Sequence, residues 1–179
     1  MPDETSLASS TITICEKFHF PLKCLGVALH PHKQNAMSVK PIIKLNMYSI
    51  TYNLNGGIIG DAFGGGNSTG QNSTNINLQG AQVTNLFGGS NVTGTVNNAL
   101  VNVTSGSVAN VFGGNNIGGT TGTTVVNFSG ATISGDIYGG GKMANVTGSS
   151  TLTLKDATIN DVYGGGMEAS CPTTTITST

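Results

Sequence analysis

The chain contains no arginine and no tryptophan, and charged side chains make up only 8 % of its 179 residues. Its seven lysines are set against eight acids, a formal charge of −1. Nucleic-acid binding needs a dense basic face to neutralise phosphates, so that class is excluded. Cysteines are too few and odd in number for a disulfide framework: Cys15, Cys24 and Cys171. The longest apolar run, Cys24 to Leu29 with Gly26 inside it, falls far short of a membrane span. Low charge also argues against a coiled coil or charge-driven disorder, and a hydrophobic content of 37 % suffices for one buried core.

Proline is missing from the stretch between Gly56 and Gly166, and that stretch holds 26 of the 27 glycines. Residues 1–46 carry five lysines against Asp3, Glu4 and Glu16, whereas 47–179 carry two lysines against five acids. Two compositions meet near Met47. The expected organisation is a non-repeat segment, 1–46, followed by a repeat domain, 47–179.

The repeat is tagged by an aromatic residue and two glycines: Phe63-Gly64-Gly65, Phe87-Gly88-Gly89, Phe112-Gly113-Gly114, Tyr138-Gly139-Gly140 and Tyr163-Gly164-Gly165. Steps between the aromatics are 24, 25, 26 and 25 residues, with one extra residue near Gly135. Upstream of each tag, Leu54, Leu78, Val103, Phe128 and Leu154 recur in register, as do Tyr52, Ile76, Val101, Val126 and Leu152, with Ile176 continuing the series. Period-two alternation of β-branched and small polar residues reads as strand, and no 3.6 period persists. Each unit reads as three short strands and three bends, the third segment looser. Such a unit cannot bury its apolar face alone, but stacked units share a core. The expected fold is all-β, a parallel β-helix (β-solenoid) of about five coils of about 25 residues.

Stacking at about 4.8 Å per coil places like residues above one another. Asn53, Asn77, Asn102 and Asn127, continued by Thr153 and Thr177, form an outward column in which each amide donates to the next. Beside it runs a less polar column, Thr51, Asn75, Leu100, Val125, Thr151 and Thr175. The tag aromatics Phe63, Phe87, Phe112, Tyr138 and Tyr163 have two readings. If alternation continues from Val83, Phe87 points inward; if Thr84-Asn85 bends, Leu86 is inward and Phe87 faces out. Stacked rings make a structural spine, whereas an exposed stripe would let sugars stack on it.

Asp136 and Asp161 occupy one repeat position in adjacent coils, about 5 Å apart if stacked, which is the spacing of a retaining glycosidase pair. Asn85 and Asn110 hold the same position, which fits a turn closed by a side-chain bond to the backbone. A calcium ion at these carboxylates is a weaker reading. Gly64-Gly65-Gly66-Asn67 lacks the aspartate of a calcium-binding roll, and Gly141-Lys142-Met143 lacks the hydroxyl of a phosphate loop. Paired threonines suited to ice occur only locally, at Thr151-x-Thr153 and Thr175-x-Thr177. In 1–46, Cys15, His19, Cys24, His30 and His32 are metal-ligand types without a paired C-x-x-C, so no metal site and no cofactor are expected. The six Asn-x-Ser/Thr sequons, from Asn67 to Asn145, reflect composition.

The units Asp-Ile-Tyr-Gly-Gly-Gly at 136–141 and Asp-Val-Tyr-Gly-Gly-Gly at 161–166 resemble the repeats of bacterial surface proteins of the adhesin and autotransporter-passenger kind. Tyr48-Ser49-Ile50-Thr51-Tyr52-Asn53-Leu54-Asn55-Gly56-Gly57 resembles the opening of small β-repeats in bacterial cell-wall proteins. That resemblance spans residues 50–179 and implies a right-handed parallel β-helix at the cell surface or outside the cell. Asp3 and Glu4 stand where a basic leader would begin, so a longer native protein, or a start at Met37 or Met47, is expected. Residues 1–46 read either as an N-terminal cap or as a misplaced or disordered start, and an incomplete last coil predicts either a longer native protein or end-to-end self-association.

The functional expectation is a non-enzymatic adhesion-type domain binding glycans or host cell-surface proteins. Its candidate binding residues are Asn53, Asn77, Asn102, Asn127, Thr153 and the five tag aromatics, with no catalytic residue assigned. Two alternatives are a polysaccharide-acting enzyme using Asp136 and Asp161, and a structural spacer or fibre segment.

Overall fold

The computed structural model describes residues 49–179 and, before them, the strand backbones at 11–14 and 25–28. The chain divides into two units, Met1–Ile43 and Lys44–Thr179. In the first, β1 (Thr11–Ile14) and β2 (Leu25–Ala28) pair antiparallel, with Thr11 opposite Ala28. The candidate set Cys15, His19, Cys24, His30 and His32 lies outside the described residues, as does most of the expected cap.

The second unit comprises β3 (Ser49–Leu54), β4 (Ile58–Phe63), β5 (Gln71–Phe87), β6 (Thr95–Phe112), β7 (Thr120–Ser129), β8 (Thr132–Ile133), β9 (Ile137–Tyr138), β10 (Ser149–Lys155), β11 (Val162–Tyr163) and β12 (Thr173–Ser178). Its strand pairings are all parallel, each strand meeting its equivalent one repeat away. The unit is a β-solenoid of about five turns. Tyr52, Ile76, Val101, Val126, Leu152 and Ile176 fall in one register column, and Leu54, Leu78, Val103, Phe128 and Leu154 in the next but one. From the second side of the coil, Val83, Val108 and Ile133, with Leu86, Val111 and Ile137, complete the core. Fully burying such a side chain stabilises the fold by about 1.5–3 kcal/mol. End coils gain less: Tyr52 and Ile176 remain 43 % and 47 % exposed while Val101 and Val126 are 0 %.

Two sides of the coil carry long strands, and the looser third segment is strand only at its end, where Gln71, Val96 and Thr121 pair in a column that Val146 continues by a bridge. β5 and β6 turn a corner without losing their ladder, and the register slips at Leu78/Gln79 and between Gln79 and Gln82 as they do so. The register is therefore looser here than the even spacing implied. The corner takes positive φ at Gly80, Gly106 and Gly130, and Asp156 takes φ 50° at the place equivalent to Gly130. Aspartate tolerates this left-handed region better than most residues with a Cβ. Near Gly135 the extra residue lies between Ile133 and Ile137, which span four steps where Val108 to Val111 spans three.

The third side, Asn91 to Gly94 and its equivalents, is a chain of bends. Asn, Gly and Ser dominate it, so side-chain packing does not hold it as strand; backbone bonds between coils do. Asn91 N–H donates to Gly66 O at 3.0 Å, Asn116 N–H to Ser90 O at 2.9 Å and Met143 N–H to Asn116 O at 2.7 Å. Asn115, fully buried, ties this side together. Its Nδ2 donates to the carbonyls of Gly94 at 3.0 Å and Gly118 at 3.1 Å, and its Oδ1 accepts from Ser90 N–H at 2.8 Å.

The first tag glycine in each coil faces a column of small residues across the interior: Thr74, Ala99, Thr124, Ser150 and Thr174. Thr74 Oγ1 donates to Gly88 O at 2.5 Å and Thr124 Oγ1 to Gly139 O at 2.6 Å. Ala99 has no hydroxyl, and Ser150 Oγ is buried without a partner. A Cβ on Gly113 would run into the carbonyl of Gly139 and the Cβ of Thr124, whereas one on Gly165 would meet open space. Gly113→Ala should therefore lower stability by about 1–3 kcal/mol through overpacking. Gly165→Ala should change it by no more than about 0.5 kcal/mol, both read from chemical denaturation.

Candidate functional face

Outward residues of β3, β5, β6, β7, β10 and β12 form a flat face. Thr51, Asn75, Leu100, Val125, Thr151 and Thr175 make one column, and Asn53, Asn77, Asn102, Asn127, Thr153 and Thr177 the next. No ionisable side chain interrupts either column. The ladder is formed: Nδ2 of Asn77 donates to Asn53 Oδ1 at 2.8 Å, Asn102 to Asn77 at 2.8 Å and Asn127 to Asn102 at 2.9 Å. Each bond uses one of the two amide hydrogens and one oxygen lone pair, which fixes the plane of the amide; Asn102 Nδ2 also reaches Asn75 Oδ1 in the neighbouring column at 3.3 Å. Thr153 stands above Asn127 by register and is half-buried.

Further ladders lie outside this face. Asn67, Asn91 and Asn116 bond in series at 2.9 Å each, and Asn97 donates to Asn72 at 3.2 Å. Their spacing matches that of the tags, so the signal is present in the repeat; Asn67, Asn91 and Asn116 lie on the irregular side, where no alternation draws attention to them, and Asn72 and Asn97 lie at the starts of β5 and β6. Asn85 and Asn110 do not close turns as expected. Asn85 Nδ2 donates to Asp61 Oδ1 at 2.7 Å and Asn110 Nδ2 to Asn85 Oδ1 at 3.0 Å. Each amide bonds sideways along the stack, to the residue at its own position in the neighbouring coil.

Asp136 and Asp161 continue that column. Asp136 N–H donates to Asn110 Oδ1 at 3.3 Å, while Asn160 Nδ2 reaches Asp136 Oδ1 at 3.1 Å and Asp161 Oδ2 at 3.5 Å. One amide thus bridges the two carboxylates. Neither lines the shallow cleft of about 220 Å³ on the second side, whose walls include Ile58, Gln82, Thr84, Ser107 and Ser134. Among the described residues no group of three His, Cys, Asp or Glu side chains is placed to hold a metal ion. No helix among them is long and apolar enough to cross a membrane.

The tag aromatics take the second of their two readings for the backbone, with a difference in burial. Leu86 enters the main core and Phe87 turns away from it, yet Phe87 is 1 % exposed and Phe112 2 %. Phe87, Phe112 and Tyr138 form a second buried cluster with Phe63 packed against it. Rings stack nearly parallel, with centroids 4.8, 4.8, 5.0 and 4.8 Å apart from Phe63 through to Tyr163. Ring faces within the column are covered by neighbouring rings, so an open stripe of five sugar platforms is not what the fold presents. Tyr163 alone of the buried-column series is well exposed, at 45 %. Such contacts contribute about 0.5–1.5 kcal/mol per pair.

Tyr138 O–H donates to Asp136 Oδ2 at 3.4 Å. Burial, and then the Asp136 charge beside it, push the Tyr138 phenol above its ordinary value. The unfolded phenol loses its proton near pH 10 while the folded one keeps it. Stability contributed by the neutral ring is complete below about pH 10 and declines as the pH rises above it. Tyr138→Phe should therefore flatten the alkaline limb of a stability–pH curve while leaving neutral stability within about 1 kcal/mol. Asn102→Ala removes a donor and an acceptor from the ladder and should cost about 1–2 kcal/mol, read from the same denaturation curves.

No protein family, no curated protein and no solved structure matches this chain.

Proposed function

We propose that the repeat unit is a non-enzymatic binding domain of the cell-surface adhesion type, holding an extended glycan or protein along its Asn/Thr face outside the cell. The observation that carries this reading is the uncharged pair of columns in which Asn53, Asn77, Asn102 and Asn127 are locked by mutual hydrogen bonds. Fixed amides offer their remaining hydrogens and lone pairs at a regular spacing with little ordering left to do on binding, which is how preorganisation raises affinity. The lack of charge favours an uncharged glycan over an acidic one, because no lysine or arginine stands in the columns. Likeness of the Tyr-Gly-Gly-Gly units to surface adhesin repeats supports the setting. Threonine already occupies the column at Thr153 and Thr177, so threonine in place of asparagine should keep the strand.

A glycan array probed with the full chain should give a selective signal for neutral polysaccharides. The triple replacement Asn77→Thr, Asn102→Thr and Asn127→Thr should weaken that signal by about tenfold or more, through loss of aligned hydrogen bonds. An array with no selective signal would overturn the binding reading in favour of a spacer. Glycan cleavage abolished by Asp136→Asn or Asp161→Asn would overturn it in favour of an enzyme.

A further inference from the structure

Three columns of outward side chains make up the flat face. Beside the columns that begin at Thr51 and Asn53 runs a third, Ser49, Ser73, Asn98, Thr123, Ser149 and Thr173. Every position in the three columns is Asn, Ser or Thr except two, Leu100 and Val125. These two are register partners in the middle column and in the two middle coils, and both are half-buried. A single outward leucine on a strand is ordinary. Two apolar residues stacked at the centre of an otherwise polar face form a defined patch. Polar side chains surround it: Asn75 and Thr151 at either end within the column, Asn98 and Thr123 on one flank, Asn102 and Asn127 on the other.

We propose that Leu100 and Val125 are the platform for one face of a pyranose ring, and that the glycan held here is an extended β-linked chain of rings with equatorial hydroxyls, the cellulose type. This rests on the reading of the face as a glycan-binding surface and names the ligand class. Such a ring has two unlike surfaces, axial C–H groups on its faces and hydroxyls around its edge. The patch has the complementary pattern, apolar in the middle and hydrogen-bonding at the sides. Its flanking columns stand four residues apart along the strand, about 13 Å, which leaves room for one ring with a hydrogen bond at either edge. The chain therefore runs along the coil axis, one ring over Leu100 and Val125 and its neighbours over Asn75 and Thr151. Laid along a strand instead, it would press apolar ring faces onto the amides of Asn98 and Asn102, which costs free energy.

Open hydrogen-bonding groups lie on both flanks of the patch. Both hydrogens of Asn102 Nδ2 are taken inside the face, by Asn77 Oδ1 at 2.8 Å and Asn75 Oδ1 at 3.3 Å. Asn98 Oδ1 accepts from Thr123 Oγ1 at 2.9 Å, and Asn127 Nδ2 gives one hydrogen to Asn102 Oδ1 at 2.9 Å. That leaves Asn98 Nδ2 on one flank, and Asn127 Oδ1 with the second Asn127 amide hydrogen on the other, without a partner among the described residues. One edge of the ring thus meets a donor and the other a donor and an acceptor, on amides already held by a bond to a neighbour. Shape adds a second constraint. A β-linked chain of this type is a straight ribbon that keeps successive rings on one flat surface, whereas the α-linked chain of the same sugar curves away from it.

Calorimetric titration of the full chain with cellohexaose should show binding, and maltohexaose, its α-linked isomer, should bind about tenfold or more weakly. Val125→Thr exchanges a methyl for a hydroxyl of nearly the same shape and should weaken cellohexaose binding about threefold. Leu100→Thr combined with Val125→Thr should weaken it about tenfold or more. Thr151 and Thr175 already hold this column, so both variants should keep the strand, which circular dichroism checks. Equal affinity for the two hexaoses, or cellohexaose binding undiminished in the folded double variant, would overturn the proposal. A selective glycan-array signal without cellohexaose binding would also overturn it, while leaving the glycan reading of the face standing. No signal in either experiment would remove both.

Discussion

The parallel hydrogen-bond ladder between successive coils governs this molecule. Strands held one above another at a single spacing force each side chain to lie against its equivalent from the next repeat, so residues are selected for how they stack on their own kind. Valine and leucine on themselves make a core, asparagine on asparagine makes a bonded chain of amides, and phenylalanine on tyrosine makes a ring column. Lysine or aspartate on itself would repel. The scarcity of charge in the coils follows from that constraint, and where acids do stack, at Asp136 and Asp161, an asparagine amide stands between them.

Two demands meet at the tag. The first glycine must let the backbone come close to the small-residue column of Thr74, Thr124 and Ser150, while the aromatic before it must leave the main core altogether. A three-residue step from Val83 to Leu86 achieves both, because it puts two successive residues, Leu86 and Phe87, into separate buried clusters on opposite sides of one strand. The ring spacing is the coil spacing. Nearly parallel rings with centroids that far apart are offset rather than face to face, which is the arrangement their quadrupoles favour.

Much of the coil could be read in advance from residues that repeat. Tyr52 to Ile176 and Leu54 to Leu154 were placed by period alone, and so was the Asn53–Asn127 ladder, because an alternating strand assigns each residue a face. The irregular side was another matter. Asn67, Asn91 and Asn116 keep the same period, but without alternation no face is assigned to them, and Asn115, which satisfies buried groups from several segments, stands where the other coils carry Ser90 or a glycine. The sideways bonds of Asn85 and Asn110 are hidden in the sequence for a related reason. Local turn chemistry is visible within one repeat, whereas a bond to the residue in the next coil exists only once the coils are stacked.

The sequence by itself determined the repeat length, the all-β character and the order of inward and outward residues along the alternating strands. All of these follow from composition and period, which are properties of the chain before it folds. Tertiary structure decided that the third segment is strand only at its end, that the aromatics form a column apart from the core, and that Asp136 and Asp161 share one amide. Those outcomes depend on how the backbone turns between coils, as at Gly80, where φ is positive and the register slips. A turn's angle is settled by what the neighbouring coil leaves room for, and that neighbour is present only in the folded stack.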